Sequence, residues 1–297
     1  MEQKLIKPEW LKIKLTTTDN FSNIKSTLNH HNLHTVCESA HCPNISECWS
    51  GGTATFMLMG DVCTRGCKFC AVKTGNPRKE LDKDEPKKLA RALAEIKLFD
   101  YVVLTSVNRD DLEDGGSSHF AECIKEIKEA YPEIVVEVLI PDFKGDTNSL
   151  KKIIAAQPEV IAHNIETVER LQKKVRDVRA NYKQSLSVLE NIKKINPKIH
   201  TKSSIMLGLG ESDEEIIKAM KDLRAINVDI LTLGQYLRPT DWHITVSSYV
   251  APEKFEYFKQ KALEFGFLFC AAGPFVRSSY KAGELFMKHV IKNENLH

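Results

Sequence analysis

Three cysteines fall within one short segment, Cys63-Thr64-Arg65-Gly66-Cys67-Lys68-Phe69-Cys70, just after the run Thr53-Ala54-Thr55-Phe56-Met57-Leu58-Met59-Gly60. Thiolates at this density suit a soft, multivalent centre, and a trio does not close the tetrahedron that a structural zinc ion requires. The segment therefore implies an open coordination position or a missing partner. A second group, Cys37, Cys42 and Cys48, lies upstream with four and then five residues between thiols. Pro43 and Asn44 argue against a regular element there, so a winding loop is expected to supply these ligands. The two remaining cysteines read as core. Cys123 shares helical spacing with Phe120, Ile124 and Ile127, and Cys270 sits in Phe267-Leu268-Phe269-Cys270-Ala271-Ala272.

Composition narrows the setting for this chemistry. The chain has 297 residues, enough for a full core, and 42 basic against 40 acidic side chains give a formal charge of +2. That balance offers no global attraction to nucleic acid or to a membrane surface, and neither is expected as a partner. The first residues lack the apolar core of a secretory signal, and no segment approaches about 18 uninterrupted apolar residues. A soluble, cytoplasmic protein is the expectation. Eight cysteines formally permit disulfides, but six of them in two tight groups favour metal or cluster ligation in a chain of intracellular character.

The elements that must position the thiols follow from periodicity. Residues 1 to about 36 hold a few anchors, Trp10, Leu11, Ile13, Leu15 and Phe21, without a sustained period, and read as an arm over a larger body. Beyond Gly51-Gly52, short β-branched runs alternate with amphipathic segments. Strands are predicted near 53–60, 101–105, 134–140, 160–165, 200–207 and 230–234. The helices between them include one from about Pro86, one containing Cys123, and one over 182–195 ended by Pro197. Ser212-Asp213-Glu214-Glu215 fits a capping box, and the helix after Pro252 presents Phe255, Phe258, Ala262 and Phe265 and stops at Gly266. Six βα units suit a parallel barrel or partial barrel, with an open doubly wound sheet as the competitor. In a barrel, the Cys63 segment follows the first strand and so stands at the functional mouth.

The pattern Cys63-x-x-x-Cys67-x-Phe69-Cys70 resembles the signature of the radical S-adenosylmethionine enzymes. That resemblance implies three thiolates on a [4Fe–4S] cluster whose fourth iron takes the amino and carboxylate groups of S-adenosylmethionine, which is cleaved to a 5′-deoxyadenosyl radical. With Cys37-x4-Cys42-x5-Cys48 upstream and Arg277-Ser278-Ser279-Tyr280 near the end, nearly the whole chain is similar to the lipoyl synthase family. The similarity runs through Thr105 to Gly116, His163 to Val168, Arg179-Ala180-Asn181-Tyr182 and Gly234 to Thr240. It implies sulfur insertion at the sixth and eighth carbons of an octanoyl chain carried on a protein lysine. The carriers implied are lipoyl domains of 2-oxoacid dehydrogenases and the glycine-cleavage H protein, with ferredoxin or flavodoxin as electron donor. It further implies a second, sulfur-donating [4Fe–4S] cluster on Cys37, Cys42, Cys48 and a terminal serine. Ser279 is favoured over its neighbour Ser278. The expected fold is α/β, a partial parallel (β/α)6 barrel over 53–266. Extensions over 1–52 and 267–297 carry the first cysteine group and the serines across its mouth.

Around that centre, Phe69 is expected beside the adenine, and Asn108, Arg109 and Asp110 on the loop after the second strand as S-adenosylmethionine contacts. Asn164 and Glu166 end the fourth strand and invite the same role. Arg179 and Lys202 are candidates for the methionine carboxylate, against the ordinary role of surface ion pairs. His163 reads as a hydrogen-bonded core histidine, and Lys193-Lys194-Ile195-Asn196-Pro197-Lys198 as a solvated helix end or a steering patch for an acidic carrier. Competing functions are a methylthiotransferase or biotin-synthase-like sulfur inserter, a two-cluster electron carrier, and a zinc-stabilised binding protein.

Overall fold

The computed structural model describes residues 6–12, 18–40, 42–50, 54–78, 80–96, 99 and 101–279. Expectations for Ile13, Leu15, His41, Gly51, Gly52, Thr53, Tyr280 and the tail to His297 lie outside these residues. The strands are β1 (His34–Thr35), β2 (Thr55–Leu58), β3 (Val62–Cys63), β4 (Lys73–Thr74), β5 (Tyr101–Ser106), β6 (Val135–Leu139), β7 (Val160–Ala162), β8 (His200–Leu207), β9 (Ile230–Gln235) and β10 (Phe269–Gly273). The α-helices are α1 (Asp19–His30), α2 (Val36–Ser39), α3 (Ile45–Ser50), α4 (Glu85–Ile96), α5 (Ser117–Ala130), α6 (Thr147–Ala155), α7 (Gln172–Val175), α8 (Tyr182–Ile195), α9 (Asp213–Ala225) and α10 (Pro252–Glu264).

One sheet organises the chain in the order β1-β2-β5-β6-β7-β8-β9-β10, and β3 pairs with β4 beside it. From β2 to β10 every neighbour in the large sheet is parallel, which agrees with the βα alternation. Strands β2 and β9 are buried throughout, as a sheet covered on both faces requires. Helices α4, α5 and α6 pack in succession along the first half. Leu89, Leu93, Phe120, Ile124, Leu150 and Ile153 bury there against Phe56, Leu104 and Val136. A second apolar cluster joins β8 and β9 to α9 and α10 through Ile216, Met220, Phe255 and Phe258. Each such large side chain contributes about 1.5–3 kcal/mol on burial. Cys123 and Cys270 are both core residues. The predicted capping box is present, with Ser212 accepting from the Glu215 amide and the Glu215 side chain accepting from the Ser212 amide.

Three expectations change. The N-terminal arm contains a full helix, α1, whose Ile24 and Leu28 are buried and whose Phe21 ring lies 5.0 Å from that of Trp49. Its apolar period was too short to stand out among polar residues. The arm also adds β1, antiparallel to β2, at one edge of the sheet. At the other edge the apolar run around Cys270, expected in the C-terminal extension, is the seventh parallel strand β10, and its partner is β9. Among the described residues, no helix is long and apolar enough to cross a membrane.

Candidate functional site

At the C-terminal ends of the parallel strands lies a cavity of about 600 Å³, within the size range of ligand sites. Cys37, Cys42, Cys48, Cys63, Cys67 and Cys70 all line it, together with Ser278 and Ser279. The ends of the chain reach this place by specific contacts. The Asn44 side-chain amide donates to the carbonyl of Phe275 at 2.6 Å, tying the first cysteine group to the C-terminal segment. That segment crosses β9 so closely that a Cβ on Gly234 would stand 2.1 Å from the Val276 carbonyl oxygen. Only glycine fits there.

The Cys63 segment is held by charge. The Arg65 guanidinium is 4% exposed and bonds two carboxylates, Asp110 at 2.9 Å and Asp142 at 2.6 and 2.7 Å. Asp110 comes from the loop after β5 and Asp142 from the loop after β6, so one side chain of the cysteine segment staples it to two strand ends. Burial alone would depress the Arg65 pKa, but the two carboxylates raise it; burial alone would raise Asp110 and Asp142, but Arg65 holds both below the usual carboxylate range. A second brace comes from the loop after α7. There Asp177 accepts from the Gly66 amide at 2.8 Å, and Arg179 bonds Asp177 and the Thr64 carbonyl. Backbone amides also point at sulfur, from Asn108 to Cys63 at 3.3 Å and from Asp177 to Cys67 at 3.3 Å.

The first cysteine group is held mainly by packing. Cys37 sits in the single turn α2, opened by Thr35, whose hydroxyl accepts from the Glu38 amide. Cys48 sits in α3, where its amide donates to the Asn44 carbonyl. The expectation of a purely irregular loop is thus corrected. Pro43 and Asn44 precede α3, where proline and asparagine suit a helix start, and only Cys42 lies outside a helix.

Burial pushes the thiol of Cys37 up to about 11, that of Cys67 to about 11 and that of Cys70 to about 12, and raises Cys42. Buried thiols of this kind become ligands only when a cationic centre compensates the thiolate, which suits an iron–sulfur cluster. The cavity also presents polar atoms left over by the protein. Asn164 Oδ1 and Ser106 Oγ are buried there without a hydrogen-bond partner. Buried acceptors are ordinarily satisfied, so these two fit a polar, chelating ligand.

Of the residues read from sequence, Phe69, Asn108, Asn164 and Glu166 line the cavity. Glu166 adopts φ +65°, bonds Asn164 at 3.2 Å, and has its carboxyl pKa raised by burial against the opposing pull of Arg176. Four others stand elsewhere. Arg109 bonds Asp111 and lines a smaller neighbouring pocket. Asp110 serves Arg65, and Arg179 lies outside the cavity lining, bracing the Cys63 segment. Lys202 is buried near the start of β8, its ammonium 2.8 and 2.9 Å from the Glu137 carboxylate, which also accepts from Tyr101. It stands earlier on the strand than Ser204, Ile205 and Met206 of the cavity wall and does not itself line the cavity.

Arg176 is the cation that sequence reading missed. It lines the cavity and donates to Gln172 and to Ser185. Ser185 Oγ lies 3.0 Å from His163 Nε2, and His163 Nδ1–H donates to the Ile140 carbonyl, so the ring is a neutral spacer rather than a ligand. Burial lowers its pKa to about 4. Arg176 follows Lys173-Lys174-Val175, with no motif in the sequence to set it apart from the basic residues before it.

Comparison with known proteins agrees with this geometry. Residues 57–223 match the Radical SAM superfamily, and residues 1–42 match the N-terminal domain of lipoyl synthase of that family. A lipoyl synthase of Halobacterium salinarum is 59% identical over 291 residues, covering 96% of this chain and 93% of that protein. The mitochondrial lipoyl synthase of Culex quinquefasciatus is 56% identical, covering 98% and 78%, and that of Rattus norvegicus 54%, covering 97% and 79%. Among solved structures, methylornithine synthase superimposes with a TM-score of 0.53 at 12% identity, covering 90% of this chain and 83% of its own. The FeFe-hydrogenase maturase HydG from Carboxydothermus hydrogenoformans gives 0.53 at 13% identity, covering 92% and 78%. At those identities the structures speak to the fold alone, a partial barrel, whereas the sequence relatives speak to kinship: the chain belongs to the lipoyl synthase family of the radical S-adenosylmethionine superfamily.

Proposed function

We infer that this chain is a sulfur-inserting enzyme that places two sulfur atoms at the sixth and eighth carbons of a protein-bound octanoyl-lysine, giving the lipoyl group. The observation that carries this is the convergence of both cysteine groups, Ser278 and Ser279 on one cavity. When bound, a [4Fe–4S] cluster on Cys63, Cys67 and Cys70 supplies the reductant and chelation point for S-adenosylmethionine, and a second on Cys37, Cys42, Cys48 and Ser279 supplies the sulfur.

The protein's own part is positioning and exclusion. Asn164 and Ser106 offer unpaired polar atoms to the amino acid end of the cofactor, Glu166 an acceptor for its ammonium, and Arg176 a buried cation for its carboxylate. Phe69 offers an aromatic face. Met57, Val107, Leu139, Ile205 and Met206 form apolar wall suited to an alkyl chain. Such a wall keeps water from a reactive carbon-centred species and holds the target C–H bonds in place. Lipoyl domains and the glycine-cleavage H protein are the carriers in this proposal, and ferredoxin or flavodoxin the electron donor. Its compartment is the cytoplasm, where eight free cysteines stay reduced.

Mass spectrometry of an octanoyl-lysine peptide after anaerobic turnover with reductant and S-adenosylmethionine tests the proposal. A product heavier by two sulfur atoms less two hydrogens is expected; cofactor cleavage without sulfur insertion would overturn it.

A further inference from the structure

A folded carrier domain is too large for a cavity of about 600 Å³. Only its acylated lysine arm enters, so the body of the domain must rest on the rim. Among the described residues, three large apolar side chains are almost fully exposed: Ile6 at 89%, Val178 at 91% and Trp242 at 88%. Two of these, Val178 and Trp242, stand on loops that both hydrogen-bond to the Cys63–Cys70 segment. Next to Val178, Asp177 takes the Gly66 amide, and the Lys68 amide donates to the Val175 carbonyl. Beside Trp242, His243 Nε2–H donates to the Cys70 carbonyl at 3.0 Å, and the Ile244 amide donates to the Lys68 carbonyl at 3.0 Å.

Neither loop is loose. Arg238 holds the His243 carbonyl at 2.7 Å, Thr240 bonds both His243 Nδ1 and the Trp242 amide, and the Tyr236 hydroxyl donates to the Ile244 carbonyl. A rigid turn that directs an indole to solvent has the form of a preorganised interface anchor, since little entropy is lost when a partner covers it. Charge defines the partner. Lys68, Lys173 and Lys174 are exposed on the cysteine segment and on the helix just before Val178, and none makes an ion pair among the described residues. Asp177 is neutralised by Arg179, and Asp241, which bonds Arg238, is the exposed acid on the Trp242 turn.

We propose that Trp242 and Val178, with Lys173 and Lys174 just before Val178 and Lys68 bonded to both loops, form the docking surface for an acidic folded carrier domain, orienting its octanoyl-lysine toward the cavity. The proposal rests on the sulfur-insertion reading above. The full chain with its clusters is titrated with a folded octanoylated lipoyl domain, and turnover is compared between that domain and a short octanoyl-lysine peptide. Trp242→Ala and Val178→Asp should each weaken domain binding about tenfold, the loss typical of an interface anchor. Lys173→Glu with Lys174→Glu should weaken it further at low salt and by less at high salt. KM should rise for the domain, while kcat and the kinetics of the short peptide stay as in the parent.

Unchanged domain affinity in all three variants would overturn the docking surface, as would equal losses for domain and peptide. The two layers separate cleanly. A parent enzyme that thiolates neither substrate refutes the chemistry, whereas one that thiolates both while the variants bind normally refutes only the docking surface.

Discussion

The two cysteine groups face one cavity but are held by different forces. Cys63, Cys67 and Cys70 are fixed by an electrostatic frame in which Arg65 spans Asp110 and Asp142 and Asp177 seizes the Gly66 amide. Cys37 and Cys48 are fixed by apolar packing around Trp49, Ile24 and Leu28, with the Asn44–Phe275 hydrogen bond as the tie to the far end of the chain. Charged bidentate bonds specify direction, whereas packing against short helices specifies burial and leaves direction softer. A centre that must present one coordination site in one orientation suits the first construction. A centre that gives up its sulfur, the role proposed for the first cysteine group, suits the second.

The sharpest way to break that comparison is to remove ligands. Cys67→Ala should abolish 5′-deoxyadenosine formation and lipoyl product together. Cys37→Ala, Cys42→Ala and Cys48→Ala combined should abolish the product while leaving 5′-deoxyadenosine measurable by chromatography. Loss of cofactor cleavage in the second variant, with the Cys63 cluster intact by electron paramagnetic resonance, would mean that the two groups do not divide the labour.

The electrostatic frame comes next. Arg65→Ala leaves the 1%-exposed Asp142 without its cation and Asp110 with only Arg179 at 3.5 Å, a change that costs roughly 3–5 kcal/mol when a buried pair loses one member. Denaturant unfolding should show this loss, and iron analysis should show the Cys63 cluster depleted ahead of the other. Acid should act on the buried His163 and on this frame in separate windows. His163 falls from its ordinary 6.5 to about 4 on burial, so the folded state resists its protonation. Its contribution, on the order of 3 kcal/mol, is present above pH 6.5 and lost as pH falls toward 4. Asp110 and Asp142 are depressed, so theirs persists to lower pH and is lost only below the ordinary 3.8. His163→Gln should therefore flatten the stability profile between pH 6.5 and 4 and leave the lower limb in place.

Asn44→Ala tests the packed group. One hydrogen bond to the Phe275 carbonyl disappears, a loss of about 1–3 kcal/mol if the carbonyl is left unsatisfied. Hydrogen exchange over 274–279 should accelerate, and iron at Cys37, Cys42 and Cys48 should become labile while the Cys63 cluster keeps its signal.

What the sequence made legible was spacing. The six thiols, the βα order and the Ser212–Glu215 capping box all depend on residue type at fixed separation, which local chemistry imposes. Depth and partnership were not legible. Lys202 and Ser204 lie on one strand at the same parity, yet the former ends in a buried pair with Glu137 and the latter lines the cavity. Only their distance from the strand terminus separates them. Arg176 was hidden for a similar reason: a basic run marks a helix end whether its last member faces water or a site. The seventh strand, β10, was obscured because its short run around Cys270 reads equally as a core segment of either type.

Arg179 provides the finest test of this contrast between pattern and place. Sequence reading makes it a candidate for the methionine carboxylate or for an ordinary ion pair, and its guanidinium bonds Asp177, the Thr64 carbonyl and, at 3.5 Å, Asp110, with a side chain 45% exposed. An exposed pair of this kind is worth about 0.2–1 kcal/mol, because water and salt screen it and two long side chains must be ordered. Arg179→Ala should therefore lower stability by no more than about 1 kcal/mol and leave the KM for S-adenosylmethionine within about twofold. Arg176→Ala removes a cation that lines the cavity, and should raise that KM by tenfold or more, in line with about 1.5–3 kcal/mol for a charged hydrogen bond. If the two variants exchanged phenotypes, Arg179 would be a ligand contact that swings inward on binding, and the brace around the Cys63 segment would be a resting arrangement rather than the working one.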